Sequence, residues 1–219
     1  MPDAPRPLLI AVDGPAASGK GTIARALAAH FGLPHLDTGS LYRAVALALL
    51  RRGGDVSSEF AALRACDDIA ALTDDPELRE ETVGNLASRV SAFPRVRAAL
   101  IERQRDFAGQ DGGAVLDGRD IGTVIAPDAT VKLFVTASPR VRAERRVAEL
   151  QVRGLDAHLD DVLIDIEARD RRDSGREAAP LARTADAILL DTDRLDRQSA
   201  VAEAIRLVEA RVGARSSRT

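Results

Sequence analysis

The chain has 219 residues, 45% hydrophobic and 30% charged, a balance that suits one folded domain with insertions and excludes a disordered chain. Lys plus Arg number 31 against 34 Asp plus Glu, a net −3, which offers no basic field to a nucleic-acid polymer. The longest apolar run, Ala44 to Leu50, is far short of the ~20 residues of a membrane span. One cysteine, Cys66, excludes an internal disulfide and a cysteine-based zinc site. No apolar leader region lies in Met1 to Pro7, so a cytoplasmic protein is expected, with no membrane partner.

In chain order, Leu8–Val12 is a short apolar run followed by a glycine loop, then by helical spacing from Ile23 to Phe31. His35–Leu36 can supply a second short strand. Ala114–Leu116, Val131–Val135 and Ala187–Leu190 supply three more. The runs are continuous rather than alternating, as in parallel strands buried on both faces. Between them lie amphipathic stretches over Gly39–Arg52, Pro94–Ala108, Pro139–Val152, Leu159–Arg172 and Arg197–Val212. This alternation predicts an α/β fold: a parallel sheet of about five strands flanked by helices. Thr192–Asp196 reads as a turn-rich link and Gly213–Thr219 as a loose tail. Two segments fit the alternation poorly and read as peripheral insertions. Asp55–Ser91 is acidic at its centre and lacks a good strand, and Val152–Arg176 is dense in both signs of charge. On charge pattern alone the second reads as a solvated helix laced with i,i+4 pairs.

Gly14-Pro15-Ala16-Ala17-Ser18-Gly19-Lys20-Gly21-Thr22 follows a strand and opens a helix, the context that a phosphate-binding P-loop requires. Glycines let successive backbone N–H groups point inward, and the helix N-terminus adds its dipole. Lys20 would reach the β- and γ-phosphates of ATP. The strict pattern has Ser or Thr directly after Lys; here Gly21 intervenes and Thr22 comes next, the side chain expected at Mg²⁺, which otherwise takes its ligands from ATP and water. Only Lys20 and Lys132 are lysines, so a single arginine carries little information here, whereas a lysine inside a glycine loop stands out. No Asn-Lys-x-Asp sequence exists for reading guanine, which argues against a GTPase switch.

On the other side of the expected sheet edge, Leu36-Asp-Thr-Gly-Ser-Leu-Tyr-Arg43 begins a helix, with Thr38 or Ser40 placed to cap it. Asp117-Gly118-Arg119-Asp120 follows the third strand, at the C-terminal edge where parallel sheets bind ligands. Pro94 opens the next helix from Phe93-Pro-Arg-Val-Arg97. Together GPAASGKGT, LDTGSLYR, SRVSAFPRVR, DGRDIGTVIAPDA and RDRRDSGREAAPL resemble the bacterial cytidylate (CMP) kinases, in order, from about Leu8 to Arg211.

The resemblance implies a P-loop NTPase-like sheet with an NMP-binding insertion and a LID in one 1–219 domain. CORE would be 8–54, 92–151 and 177–212, the insertion 55–91 and the LID 152–176. It implies ATP-dependent phosphorylation of CMP and dCMP by a monomer, with Mg²⁺ accompanying ATP. Carried over by motif, Arg43 and Arg119 would hold the CMP phosphate. Thr38, Arg97, Asp120 and Arg176 would face cytosine, and Ser88, Arg169 and Asp173 the ribose. Lys20, Arg119 and Arg169 would be catalytic, with Arg172 a further LID arginine; Arg145 and Arg146 are candidates to reach ATP. Thr38 stands where many relatives have Ser. The segment Asp67–Asn85 is shorter than the insertion that bacterial members commonly carry.

Cytosine presents an amine donor and two acceptors along one edge, which a carboxylate and guanidinium groups complement; uracil reverses that edge. The attacking phosphate oxygen is already ionised, so no general base is needed, and His30, His35 and His158 are expected in packing or surface roles. A P-loop kinase acting on UMP, AMP or shikimate, and a non-catalytic nucleotide sensor, are the rival readings. The base-reading residues disfavour the first, and the second basic cluster disfavours the second.

Overall fold

The computed structural model describes residues 7–216. The expectations about residues 1–6 and about the end of the tail, 217–219, lie outside the described residues. The five apolar runs become β1 (Leu8–Asp13), β2 (His35–Asp37), β3 (Gly113–Gly118), β4 (Val131–Thr136) and β5 (Ile188–Asp191). All pair in parallel, in the order β2-β3-β1-β4-β5.

Alternate residues of β1 serve opposite faces. Ile10 and Val12 pack with Leu133 and Val135 against Ile23 and Leu27 of α1 (Lys20–Phe31) and Val208 of α8 (Arg197–Ser216). Ala11 joins Ala114 and Leu116 on the other face, against Ile121, Ile125 and, from α5 (Pro94–Ala108), Ile101 and Phe107. Leu27 is fully buried, so truncating it to Ala would cost about 2–5 kcal/mol. β1 and β3 match the two-sided burial read from their sequence, but β4 alternates between buried and half-buried residues. Its second face carries Lys132, Phe134 and Thr136, which the neighbouring segments cover incompletely. After β1 the chain enters α1 on one face; after β3 it enters the single helical turn Ile121–Ile125 on the other. That divergence opens a crevice at the carboxyl ends of β1 and β3.

The segment read as a peripheral insertion is helical and packs around a hydrophobic core of its own, which includes no residue of the sheet. α3 (Glu59–Ala65), the 3₁₀ turns Cys66–Leu72 and Pro76–Arg79, and α4 (Glu81–Val90) contain no strand among the described residues. With α2 (Thr38–Arg51) they build a separate hydrophobic core from Val45, Leu47, Leu49, Ala62, Ile69, Val83, Leu86 and Val90. The helix α2 starts at Thr38, one residue earlier than read, so its cap is Asp37 rather than Thr38 or Ser40. The Asp37 carboxylate accepts from the Ser40 backbone N–H at 3.3 Å.

α6 (Pro139–Val152) and α7 (Leu159–Gly175) pack together beside the crevice. The solvated-helix reading holds for the outer side of α7, where Arg171 lies 3.9 Å from Glu167, but Ile166 and Asp173 are buried. The last helix continues past Val212 through Gly213 to Ser216, so the tail begins later than its glycine suggests. An isolated glycine costs a helix only about 1 kcal/mol.

Candidate active site

Gly14 turns the chain out of β1 with φ +155°, and a Cβ added there would lie 2.0 Å from the Val135 carbonyl oxygen. Ala17 (φ +58°) and Gly19 (φ +87°) are left-handed, and together they curl the loop so that α1 can begin at Lys20. Such a run of backbone N–H groups at a helix start is an anion cradle. The Lys20 Nζ donates to the Pro15 carbonyl at 3.5 Å. Burial pushes the Lys20 ammonium down to about 8, and the nearby Arg119 and Arg169 add to the effect against Asp117 and Asp37. The lysine is held where its charge is costly until an anion arrives.

Across the crevice, β3 delivers Asp117, Gly118, Arg119 and Asp120. Thr38 is buried and donates its hydroxyl to the Asp117 carbonyl at 2.9 Å. A Cβ at Gly118 would lie 2.5 Å from the Thr38 Oγ1, so this approach needs a glycine. Asp120 pairs with Arg97 through Oδ2, both buried, and Arg97 also donates to the Ser91 carbonyl at 3.4 Å. The Arg97 guanidinium lies over the Tyr42 ring, 5.9 Å from its centroid. Arg119 donates from Nε to Asp173 at 2.8 Å. Ser88 donates to the same carboxylate at 3.3 Å, and Arg172 donates to Ser88 at 3.3 Å. Arg176 donates to Ser91 at 3.1 Å through one nitrogen, while its Nε and Nη2 are buried without a hydrogen-bond partner among the described residues. The same is true of the Arg169 Nε. Arg43 donates to the Leu78 carbonyl at 2.8 Å. A Cβ at Gly84 would crowd its guanidinium at 2.8 Å.

These side chains share one cleft. Burial, then the Arg119 and Arg43 charges, lowers Arg169 to about 10. Burial also disfavours the Asp173 carboxylate, but Arg119, Arg176 and Arg169 outweigh it and hold the group below its ordinary value. Cations and carboxylates line this cleft in equal number, but the buried Arg169 and Arg176 keep donor nitrogens without a partner among the described residues, and such donors suit the oxygens of phosphate groups. Residues 10–210 match the family model described as cytidylate kinase.

The chain belongs to the cytidylate kinase family. A cytidylate kinase from Methylocella silvestris is 58% identical over 204 residues, covering 92% of this chain and 94% of that protein. Another, from Xanthobacter autotrophicus, is 58% identical and covers 93% and 98% respectively. One from Rhodopseudomonas palustris strain HaA2 is 54% identical, covering 93% and 96%. A solved structure of an uncharacterized protein from Eubacterium ventriosum aligns with a TM-score of 0.54 at 13% identity, over 92% of this chain and 98% of that one, and supports the fold alone.

Within this cytidylate kinase fold the cleft is lined by every side chain expected on the acceptor side: Thr38, Arg43, Ser88, Arg97, Arg119, Asp120, Arg169, Asp173 and Arg176. From the phosphate loop, Ala16, Ala17, Lys20 and Gly21 line it; Gly14, Pro15, Ser18, Gly19 and Thr22 do not. Arg145 is engaged elsewhere, donating to the Thr192 hydroxyl at 2.9 Å and the Leu195 carbonyl at 3.2 Å. Arg146 does reach the cleft, where Glu81 and Glu149 hold it.

Several cleft residues carry no signal of their own in the sequence. Asp37 and Asp117 both line it near Lys20 and Gly21, and His35 Nε2 lies 2.7 Å from the Asp117 Oδ1. Tyr42, next to Arg43 on α2, is legible only as part of its motif. Outside the cleft lining, Arg142 is buried although charged: it donates to the Ala16 carbonyl at 3.1 Å and pairs with Asp170 of α7. His30 meets Glu209 at the surface, and none of the three histidines lines the cleft.

Proposed function

We propose that this cleft transfers the γ-phosphoryl group of ATP in line to CMP, giving ADP and CDP, and accepts dCMP as well. The observation that carries the reading is the convergence of Lys20 and the acceptor-side arginines, two of them (Arg169 and Arg176) with unpaired buried donors, on one cleft. The loop Gly14–Thr22 binds the ATP phosphates, and Lys20 stabilises charge on the transferring group. Arg43 and Arg119 grip the CMP phosphate, whose ionised oxygen attacks without a base. Arg169 completes the cationic ring around the transferring group, so catalysis is positioning plus charge stabilisation. Ser88, Arg169 and Asp173 receive the ribose.

Thr38, Arg97, Asp120 and Arg176 read the base. Asp120 uses Oδ2 for Arg97, leaving Oδ1 to accept the cytosine amine. The unpaired Arg176 nitrogens supply donors for the cytosine acceptors.

No group of three or more His, Cys, Asp or Glu able to hold a metal exists among the described residues. In this reading Mg²⁺ arrives with ATP and keeps several waters. Asp37 and Asp117, which line the cleft near Lys20, are the carboxylates that would hold that hydrated ion, whereas Thr22 stands outside the cleft lining. An ion held there would supply charge neutralisation to the ATP phosphates.

The division into CORE (8–54, 92–151, 177–212), NMP-binding insertion (55–91) and LID (152–176) follows from these roles, since α4 and α7 bring acceptor residues to a phosphate loop on the sheet. The proposal includes that the protein acts as a monomer. No helix is long and apolar enough to cross a membrane among the described residues.

Arg119→Ala tests the acceptor assignment by calorimetric titration of each nucleotide separately. CMP binding should weaken by about 1.5–3 kcal/mol, the worth of a charge-assisted hydrogen bond, with ATP binding nearly intact. Equal losses for both nucleotides would move Arg119 to the donor side.

A further inference from the structure

Asp13 ends β1 and immediately precedes Gly14 of the phosphate loop, yet its side chain serves the other substrate's loop. Its carboxylate, only 5% exposed, accepts from the backbone N–H of Ile121 through Oδ1 and of Gly122 through Oδ2, each at 2.8 Å. Those are the first two residues after Arg119-Asp120. In the sheet, Asp13 is also the register partner of Gly118. Strand pairing therefore fixes where the acceptor turn leaves the sheet, and the carboxylate fixes where it ends. Arg119 and Asp120 are the only residues strung between the two anchors.

Two details show that the second anchor is built rather than incidental. A Cβ at Gly122 would lie 3.3 Å from the Asp13 Oδ2 and 3.1 Å from the Lys132 Cδ, so a side chain there would press on the carboxylate and on the lysine stem by a few tenths of an ångström. A buried carboxylate beside a polyphosphate loop also works against ATP binding, a cost that needs a return elsewhere.

We propose that Asp13 is a positioning residue for the acceptor site, clamping the Arg119-Asp120 turn to the root of the phosphate loop so that both face CMP correctly. The proposal rests on the reading that Arg119 and Asp120 hold CMP. Burial pushes Asp13 up to about 6, the Gly122 and Ile121 hydrogen bonds partly offset this, Asp120 raises it further and Lys20 lowers it. Lys132, whose stem passes over Gly122, is itself paired with Asp186 at 3.0 Å. As pH falls through about 6, a proton on one Asp13 oxygen displaces one of the two N–H groups and the turn loosens. The second ionisation of the CMP phosphate lies at about 6 as well. It is common to wild type and variants, so the difference between their profiles isolates Asp13.

The test measures kcat and KM for CMP from about pH 5.5 to 8, and Kd for ATP, in wild type, Asp13→Asn, Gly122→Ala and Arg119→Ala. Asp13→Asn should raise the KM for CMP by about tenfold or more near neutral pH, leave the ATP Kd within about twofold, and lose the gap to wild type below about pH 6. Gly122→Ala, which keeps the carboxylate but displaces the N–H, should show the same split between CMP and ATP. It decides the matter if Asp13→Asn does not fold. If Arg119→Ala impairs CMP while neither Asp13→Asn nor Gly122→Ala does, or if CMP and ATP suffer equally, the positioning role is overturned. If Arg119→Ala also leaves CMP untouched, it is the acceptor reading itself that falls.

Discussion

Asp120→Asn isolates base recognition. With CMP, the free Oδ1 accepts the cytosine amine and the Arg176 donors meet the ring acceptors. With UMP, a carbonyl faces the carboxylate and an N–H faces the guanidinium. Two buried mismatches at about 1–3 kcal/mol each place the preference for CMP between about 30-fold and about 10⁴-fold. An amide can offer either a donor or an acceptor, so the variant removes one mismatch and should narrow the ratio by about tenfold. The substitution also weakens the Arg97 pair, but Arg97 keeps the Ser91 carbonyl, and any loosening of the site penalises both nucleotides alike. The ratio of kcat/KM for CMP and UMP, measured on both proteins, is thus insulated from structural damage. The competing idea, that Asp120 merely orients Arg119, finds no contact to support it: Asp120 pairs with Arg97, and Arg119 with Asp173. An unchanged ratio would refute direct base contact.

Lys20→Ala should slow turnover by at least about 10²-fold while the protein stays folded, the scale of losing one electrostatic stabiliser, as read by steady-state ADP release and thermal melting. ATP binding should also take up a proton above about pH 8. Lys20 stands at about 8 in the free cleft, so bound phosphates must raise it, and the uptake approaches one proton as the free form deprotonates. Calorimetry at about pH 8.5 in buffers of different ionisation enthalpy reads this directly. The uptake should fade near pH 7 and vanish in Lys20→Ala; persistence in that variant would assign it to another group.

The strands and the phosphate loop are legible in the sequence because both are local signals: continuous apolar runs for β1 and β3, and glycine spacing ending at Lys20. The separate core of the segment from Asp55 to Ser91 is not legible in the sequence because its residues, such as Ala62, Ile69, Leu78 and Leu86, are spread over pieces too short to show a period. α7 is half legible: its charge pattern predicts the outer face, while Asp173 is drawn inward by Arg119, a partner 54 residues away. Asp13, Arg142 and the Asp117–His35 pair are invisible for the same reason. Each is a buried polar group whose partners are distant in sequence, and only the folded chain brings them together.

Coupled ADP release with CMP, dCMP, UMP and AMP as acceptors, with Mg²⁺ and ATP, tests the central claim most directly. The account predicts rapid turnover with CMP, turnover with dCMP, and at least about 30-fold lower kcat/KM with UMP. ATP binding without ADP formation from any of the four, or an equal rate with UMP or AMP, would contradict it.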